Sequence, residues 1–371
     1  MVSLFFYGTL CHLPLLREVL GREANTAPAI LPDFAVSWVQ DQAFPMIVPQ
    51  AGGSAKGVLL RGLDAQDLAR LDFYTGSYSV QKRQLAVVAG SGTEVATVYF
   101  PDTTVWTAGR LWSIADWAGV WGETVTAAAG DVMALYGRAE ASVIATRRGA
   151  MLVRGASRVR AGLAGPATLR RSMVAGDVTV QARNHPYANF FSVEEYDLSF
   201  RRFDGTMSPV VNRATFISGD AVTVLPYDRA RDRVLLIEQF RAGPFARGDA
   251  NPWQLEAIAG RIDPGETPET AARREAVEEA GLQLGELLAV ANYYPTPGAK
   301  AEYLYSYVAL CDLPDGCAGV FGEADEAEDI RGHLVSFDRL MDLVASGEAS
   351  NAPLVLTALW LQRERGRLRG L

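Results

Sequence analysis

Cysteine is scarce in this chain, with three in 371 residues. No spacing among Cys11, Cys311 and Cys317 suits a zinc site or a disulfide framework, so a reducing cytoplasm is the expected compartment. No apolar run approaches the ~20 residues that span a bilayer, which excludes a membrane-embedded helix. Met1–Phe6 lacks a basic flank and reads as a first strand, not as a signal peptide. A surplus of base is missing too. Lys and Arg number 35 against 43 Asp and Glu, a net charge of −8, which argues against nucleic acid as the main partner. An acidic chain still binds phosphates when divalent cations sit between its carboxylates and theirs.

Hydrophobic residues make up 49% of the chain, so it is globular, and its length suits two domains better than one core. The sequence predicts strands mixed with helix from the start to about Phe100, with a helix at Ala65–Leu71 and strands at Ser79–Val88 and Val95–Phe100. An Ala-rich helical stretch follows from Ile114 to Leu163. Seven arginines and no acid lie between Arg147 and Arg171, which reads as a solvated helix or linker facing an acidic neighbour. Gly162–Pro166 is a linker candidate. The expected division is 1–112, a helical, arginine-rich connector 113–176, and 177–371. In the last region a hairpin is predicted from Ala221–Leu225 and Arg233–Phe240. A helix from Pro268, strands near Glu302–Leu310 and Gly332–Ser336, and helices at Phe337–Ala345 and Pro353–Arg365 complete it.

The segment from Gly260 to Leu282 carries the chemistry. Thr267 suits an N-cap, Pro268 a first helical turn and Gly281 a C-terminal stop. Between them Glu275, Glu278 and Glu279 fall at i, i+3 and i+4, on one helical face. Like charges so spaced destabilise a bare helix. They read either as a solvated acidic face compensated by Arg274 or as hard oxygen ligands for Mg²⁺. The wider pattern decides. Gly260, Glu266, Arg274, Glu275, Glu278, Glu279, Gly281 and Leu282 stand in the register of the Nudix box, with Ala276 where a larger aliphatic residue is usual. The segment thus resembles the Nudix hydrolases.

That resemblance implies an α/β/α sandwich with the box as loop–helix–loop. It implies Mg²⁺, with Mn²⁺ as a substitute, held by Glu275, Glu279 and Glu278 and by the backbone carbonyl of Ala259. Glu266 and Arg274 would hold the loop and orient the ligands. Pro297 lies sixteen residues beyond Gly281, as in the ADP-ribose pyrophosphatase branch, and Pro297–Glu302 resembles that branch's loop with Ala301 in place of Ser. Further similarity runs through Arg202–Gly205, Val224–Asp228, Leu236–Arg241, Trp253–Gly260 and Asp325–Arg331. By this analogy Glu326 is the general base on a loop, Glu328 lies close to the metals, and the reaction converts ADP-ribose to AMP and ribose 5-phosphate. Nucleotide sugars and NADH are the alternative substrates.

Arg213 and Arg241 are candidates for phosphate contact, because a guanidinium matches phosphate oxygens. Glu256 and Glu302 join them as substrate-binding candidates. Phe190 and Phe191, read as strand residues, suit either stacking on adenine or a core, and Trp253 is equally open. Related enzymes are dimers that exchange N-terminal strands, so residues 180–220 are expected at a homodimer interface.

Near the start, Tyr7-Gly8-Thr9-Leu10, with Phe44–Pro49, Gly57–Leu60 and Leu71–Tyr78, resembles the γ-glutamylcyclotransferase-like family. The expected fold is a mixed β-barrel with helices, and Tyr7 to Leu10 would be its ligand loop. The family's catalytic Glu is replaced here by Thr75, and a hydroxyl is a poor proton relay near neutral pH. A ligand-binding or structural role, such as sensing a γ-glutamyl compound or amino acid, is therefore expected. Fused proteins of this design carry a tellurite-resistance label, which nothing in the residues explains.

Overall fold

In the computed structural model, which describes residues 2–78, 80–163, 165–322 and 328–370, the β-branched and aromatic runs become strands. The chain divides into two units, Met1–Met173 and Val174–Leu371. The first unit holds β1 (Val2–Phe6), β2 (Asn25–Val39), β3 (Pro45–Leu63), β4 (Val80–Ala89), β5 (Gly92–Pro101) and β6 (Ala108–Leu111). Their order is β3-β1-β5-β4-β2-β6, and β2 also pairs with β3. Five strands thus close on themselves, with β6 added outside the ring on β2. Phe5, Leu31, Ile47, Leu59 and Val98 fill the interior.

Helices α1 (Leu13–Leu20), α2 (Ala65–Thr75), α3 (Ile114–Trp117), α4 (Glu123–Met133) and α5 (Ala141–Ala161) belong to the same unit. A Cβ on Gly155 would come 2.6 Å from the carbonyl of Thr124, so glycine lets α4 and α5 pack closely. In the arginine-rich stretch one residue departs from the expected solvated surface, while an acidic neighbour is present as expected. Arg154 is 2% exposed and lies 2.7 Å from Asp131 of α4, which also pairs with Arg158. A buried guanidinium needs such a carboxylate.

The second unit opens with β7 (Val178–Ala188), β8 (Ser192–Phe200) and β9 (Val211–Ile217), joined later by β15 (Lys300–Ala301) in the order β15-β9-β8-β7. Phe190 and Phe191 are not strand residues as expected. They occupy the reversal between β7 and β8, where the Asn189 N–H donates to the Phe191 carbonyl.

The larger sheet comprises β10 (Ala221–Asp228), β11 (Arg233–Phe240), β12 (Trp253–Glu256), β13 (Ile258–Arg261), β14 (Leu287–Tyr293), β16 (Leu304–Leu310), β17 (Val320–Phe321) and β18 (Ile330–Ser336). Its path is β14-β16-β10-β11-β18-β17, with β12 on β11 and β13 on β10. Successive side chains of a strand point to opposite faces. Val222, Val224, Leu235 and Ile237 accordingly meet Ala271, Ala272 and Ala276 of α7 (Pro268–Ala280). Leu225, Tyr227, Val234 and Leu236 face α8 (Phe337–Ser346) and α9 (Ala352–Arg369). A short α6 (Ala242–Arg247) follows β11. The result is the expected α/β/α sandwich. Fully buried Ala276 explains its small side chain, which lets α7 lie close to the sheet.

Candidate functional site

Local signals place the carboxylates. The Thr267 hydroxyl accepts the N–H of Thr270 at 3.2 Å and Pro268 occupies the first turn. Gly281 takes φ 62° at the C-terminus, a left-handed conformation that favours glycine. The helix so fixed turns Glu275 and Glu279 toward β13. Glu279 is 2% exposed and accepts the Ala259 N–H at 2.9 Å. The Glu275 carboxylate lies directly over Gly260, where any Cβ would collide with it. Gly260→Ala should therefore displace Glu275 and lower kcat/KM roughly tenfold or more, a cost typical of a misplaced catalytic group. Steady-state kinetics with circular dichroism to verify folding would measure it.

Arg274 organises the rest. Its Nε and Nη2 donate to the two Glu266 oxygens at 2.9 and 3.0 Å, and Nη2 also reaches the Arg261 carbonyl at 3.0 Å. Nη1 donates to Glu275 and Glu278, each at 2.8 Å. Glu266 in turn accepts the Asp263 N–H at 3.1 Å. One guanidinium thus ties the loop to two of the three helix carboxylates, using the planar fork that Lys lacks.

Burial pushes Glu275 up to about 7, with Arg274 opposing and Glu278 and Glu328 adding. Burial likewise pushes Glu279 up to about 8; the Ala259 N–H opposes, and Glu275 and Glu328 add. Such a cluster of hard oxygen donors, short of positive charge, fits a divalent cation. Both groups bind a proton more tightly when folded, starting from an ordinary value of 4.5. Stability of the cation-free protein should therefore decline as pH rises from about 4.5 through 8, since the folded state holds the extra protons. A cation that offsets the charge should then raise Tm progressively more toward alkaline pH. Thermal melts with Mg²⁺ or with chelator across that range would check this; a gap independent of pH would contradict it.

Arg241 and Glu256 form a second cluster. Arg241 Nε and Nη2 donate to Glu256 Oε2 at 3.0 and 2.6 Å. Burial alone would lower the Arg241 pKa, but Glu256 and the charges of Glu279 and Glu328 outweigh it and raise it. Glu256 is 6% exposed, and its other oxygen accepts from Asn351 Nδ2 at 2.9 Å. It is engaged with protein partners on both sides.

The remaining candidates are more dispersed. Glu328 is half-buried and close enough to raise Glu275 and Glu279. Glu326 lies outside the described residues. Arg213 is exposed on β9 and donates to the Asn212 carbonyl; among the described residues no bond links it to the α7 carboxylates. Glu302 accepts from Ser218 at 3.0 Å and pairs with Lys300 at 2.7 Å. Phe190 is exposed and carries the Arg261 guanidinium 3.8 Å from its ring centre, which brings the β7–β8 turn to the loop that Arg274 holds. Asn351 and Arg261 escaped the sequence reading. The Asn before Ala352-Pro353 signals a helix cap, but not its partner Glu256.

In the first unit Tyr7, Gly8, Thr9, Leu10, Thr75 and Tyr99 line one pocket. Thr75 is buried and its hydroxyl donates to the Leu71 carbonyl at 2.7 Å. Asp72 accepts from Tyr99 at 2.6 Å and from Lys82, a structural arrangement. Cys11 donates to the Phe6 carbonyl, and burial pushes its thiol up to about 12, which disfavours the thiolate a nucleophile needs.

Residues 218–357 match the NUDIX domain family, and residues 4–118 match the gamma-glutamyl cyclotransferase, AIG2-like family. The ADP-ribose pyrophosphatase of Escherichia coli (strain K12) is 40% identical over 193 residues, 52% of this chain and 91% of that protein. Its Haemophilus influenzae counterpart is 32% identical over 195 residues, 52% of this chain and 89% of that protein. A GDP-mannose pyrophosphatase of Salmonella paratyphi B is 29% identical over 174 residues, 47% of this chain and 89% of that protein. One solved structure, of an ADP compounds hydrolase, is 24% identical and covers 53% of this chain and 100% of its own, with a TM-score of 0.40. The chain belongs to the Nudix hydrolases, and the residues ahead of the hydrolase, 4–118, match the AIG2-like gamma-glutamyl cyclotransferase family.

Proposed function

We propose that the second unit hydrolyses ADP-ribose to AMP and ribose 5-phosphate with Mg²⁺, for which Mn²⁺ substitutes. The observation that carries this reading is the carboxylate cluster of α7: Arg274 ties Glu275 and Glu278, Glu275 lies over Gly260, and Glu279 is held by the Ala259 N–H. The ADP-ribose specificity leans on the relative that is 40% identical. Glu275, Glu278 and Glu279, with the Ala259 carbonyl and Glu328, would hold the metal, and Arg241 would meet the diphosphate. Bound there, Mg²⁺ would offset the phosphate charge and polarise a phosphoryl oxygen. Glu326, by its place in the sequence, takes the proton from the attacking water as general base. Arg274 and Glu266 act on the chemistry only by holding the ligating carboxylates in place.

A cytoplasmic site of action is proposed from the sparse cysteines; no helix of the described residues is long and apolar enough to cross a membrane. We place a homodimer interface on the four-stranded sheet, because Val178, Val180, Tyr187 and Phe200 stand exposed along β7 and β8. Such a row of apolar groups marks a contact surface. The first unit is proposed to bind a small ligand without turning it over. Its pocket has no lining carboxylate among the described residues, and the Thr75 hydroxyl is committed to Leu71.

Release of nucleoside monophosphate from ADP-ribose, ADP-glucose, GDP-mannose and NADH tests the substrate. ADP-ribose is expected to show the highest kcat/KM; any other compound ranking far above it would overturn the choice.

A further inference from the structure

Glu256 is a buried carboxylate wired on both sides. Its Oε2 accepts two N–H groups of Arg241 and lies 3.4 Å from Gln239 Nε2. Its Oε1 accepts the Asn351 amide at 2.9 Å. Asn351 is itself fixed, because its Oδ1 accepts the Leu354 N–H at 3.2 Å and caps α9. That helix is anchored in the core through Leu354, Ala358 and Leu361. A continuous set of bonds thus runs from the start of α9 through Glu256 to a guanidinium at the end of β11.

We propose that Asn351 is a positioning residue of the Nudix site, its amide orienting Glu256 so that Arg241 is aimed at the substrate diphosphate. This rests on the reading above that Arg241 contacts phosphate. Glu256 has little freedom to find another donor, since it is 6% exposed. Without the amide one carboxylate oxygen is left unsatisfied in a site closed to water. The carboxylate then turns, and the guanidinium bonded to it moves with it.

Asn351→Asp isolates the effect. Aspartate caps a helix as well as asparagine does, yet it presents a carboxylate to Glu256 where an amide donor stood. Asn351→Ser also retains a capping oxygen and removes the donor without adding charge. In the full-length protein with saturating Mg²⁺ and the best substrate of the panel, each should raise KM roughly tenfold, the scale of one charge-assisted bond, and lower Tm, more so in Asn351→Asp, where two carboxylates meet. Adding Glu256→Gln to Asn351→Asp reverses the polarity of the pair: the new amide donates to residue 351 and its oxygen still accepts from Arg241. That double variant should recover most of the lost KM; a merely structural role for Asn351 would lower Tm in the single variants and leave their KM unmoved. Wild-type KM in Asn351→Asp and Asn351→Ser, or a raised KM that the double variant leaves uncorrected, would overturn the proposal. Arg241→Ala separates the two layers. An unchanged KM there removes the phosphate-contact reading, whereas a raised KM with normal Asn351 variants removes only the role of Asn351.

Discussion

Glu279→Gln should lower kcat by at least about a hundredfold while the fold stays intact, a loss at or beyond that of an outer-shell ligand support. The substitution keeps shape and an oxygen able to accept the Ala259 N–H now bonded at 2.9 Å, so the β13–α7 contact survives. What disappears is the charge. Glu279 is among the more costly charges of the fold, raised to about 8 by burial, with Glu275 and Glu328 adding. A neutral amide removes that cost, so the cation-free variant should melt no lower than wild type at pH 8, and higher if the carboxylate ionises there. Lost turnover with retained or increased Tm is the signature expected of a ligand. Calorimetric Mg²⁺ titration and thermal melts would read both; near-normal activity would remove Glu279 from the metal site.

Arg274→Lys should combine a large activity loss with the opposite effect on stability. The guanidinium serves Glu266, Glu275, Glu278 and the Arg261 carbonyl at once. A lysine ammonium is a point charge with three donors and cannot span that set. Three acidic groups then face one another with poorer compensation. Lysine keeps the charge but loses several of these charge-assisted bonds in a half-buried cluster, which costs roughly 1–2 kcal/mol, and supports of metal ligands typically count for 10- to 100-fold in activity. Urea melts with parallel kinetics would test the pair of effects. If Arg274→Lys proved as stable and active as wild type, Arg274 would be a surface charge and not the organiser of the loop.

These two residues were legible in the sequence because their signals are local. Thr267, Pro268 and Gly281 bound α7 within a few residues of one another, and the cap geometry and φ of 62° follow from those side chains. The helical period then places the carboxylates. Glu256 and Asn351 are 95 positions apart, and no local pattern announces that pairing. The same holds for Arg154, which looked like part of a solvated run until Asp131 of α4 met it. Phe190 and Phe191 misled for another reason. Aromatic pairs favour strands, but here a reversal falls on them, where the Phe190 ring meets Arg261. Long β2 and β3 were also hard to foresee, because Pro28, Pro32, Pro45 and Pro49 read as breaks. They sit instead in strands whose pairing shifts between Pro32 and Phe34. Glu326 carries the expected proton transfer but lies outside the described residues, so its role stands on its place in the sequence.

The proposed hydrolysis depends on a divalent cation seated among the α7 carboxylates. The most direct measurement is an anomalous difference map from crystals grown with saturating Mn²⁺. A peak within bonding distance of Glu275 and Glu279, absent in Glu279→Gln, is the expected result. A map without density there at full Mn²⁺ concentration, or with the carboxylates turned away from one another, would contradict it.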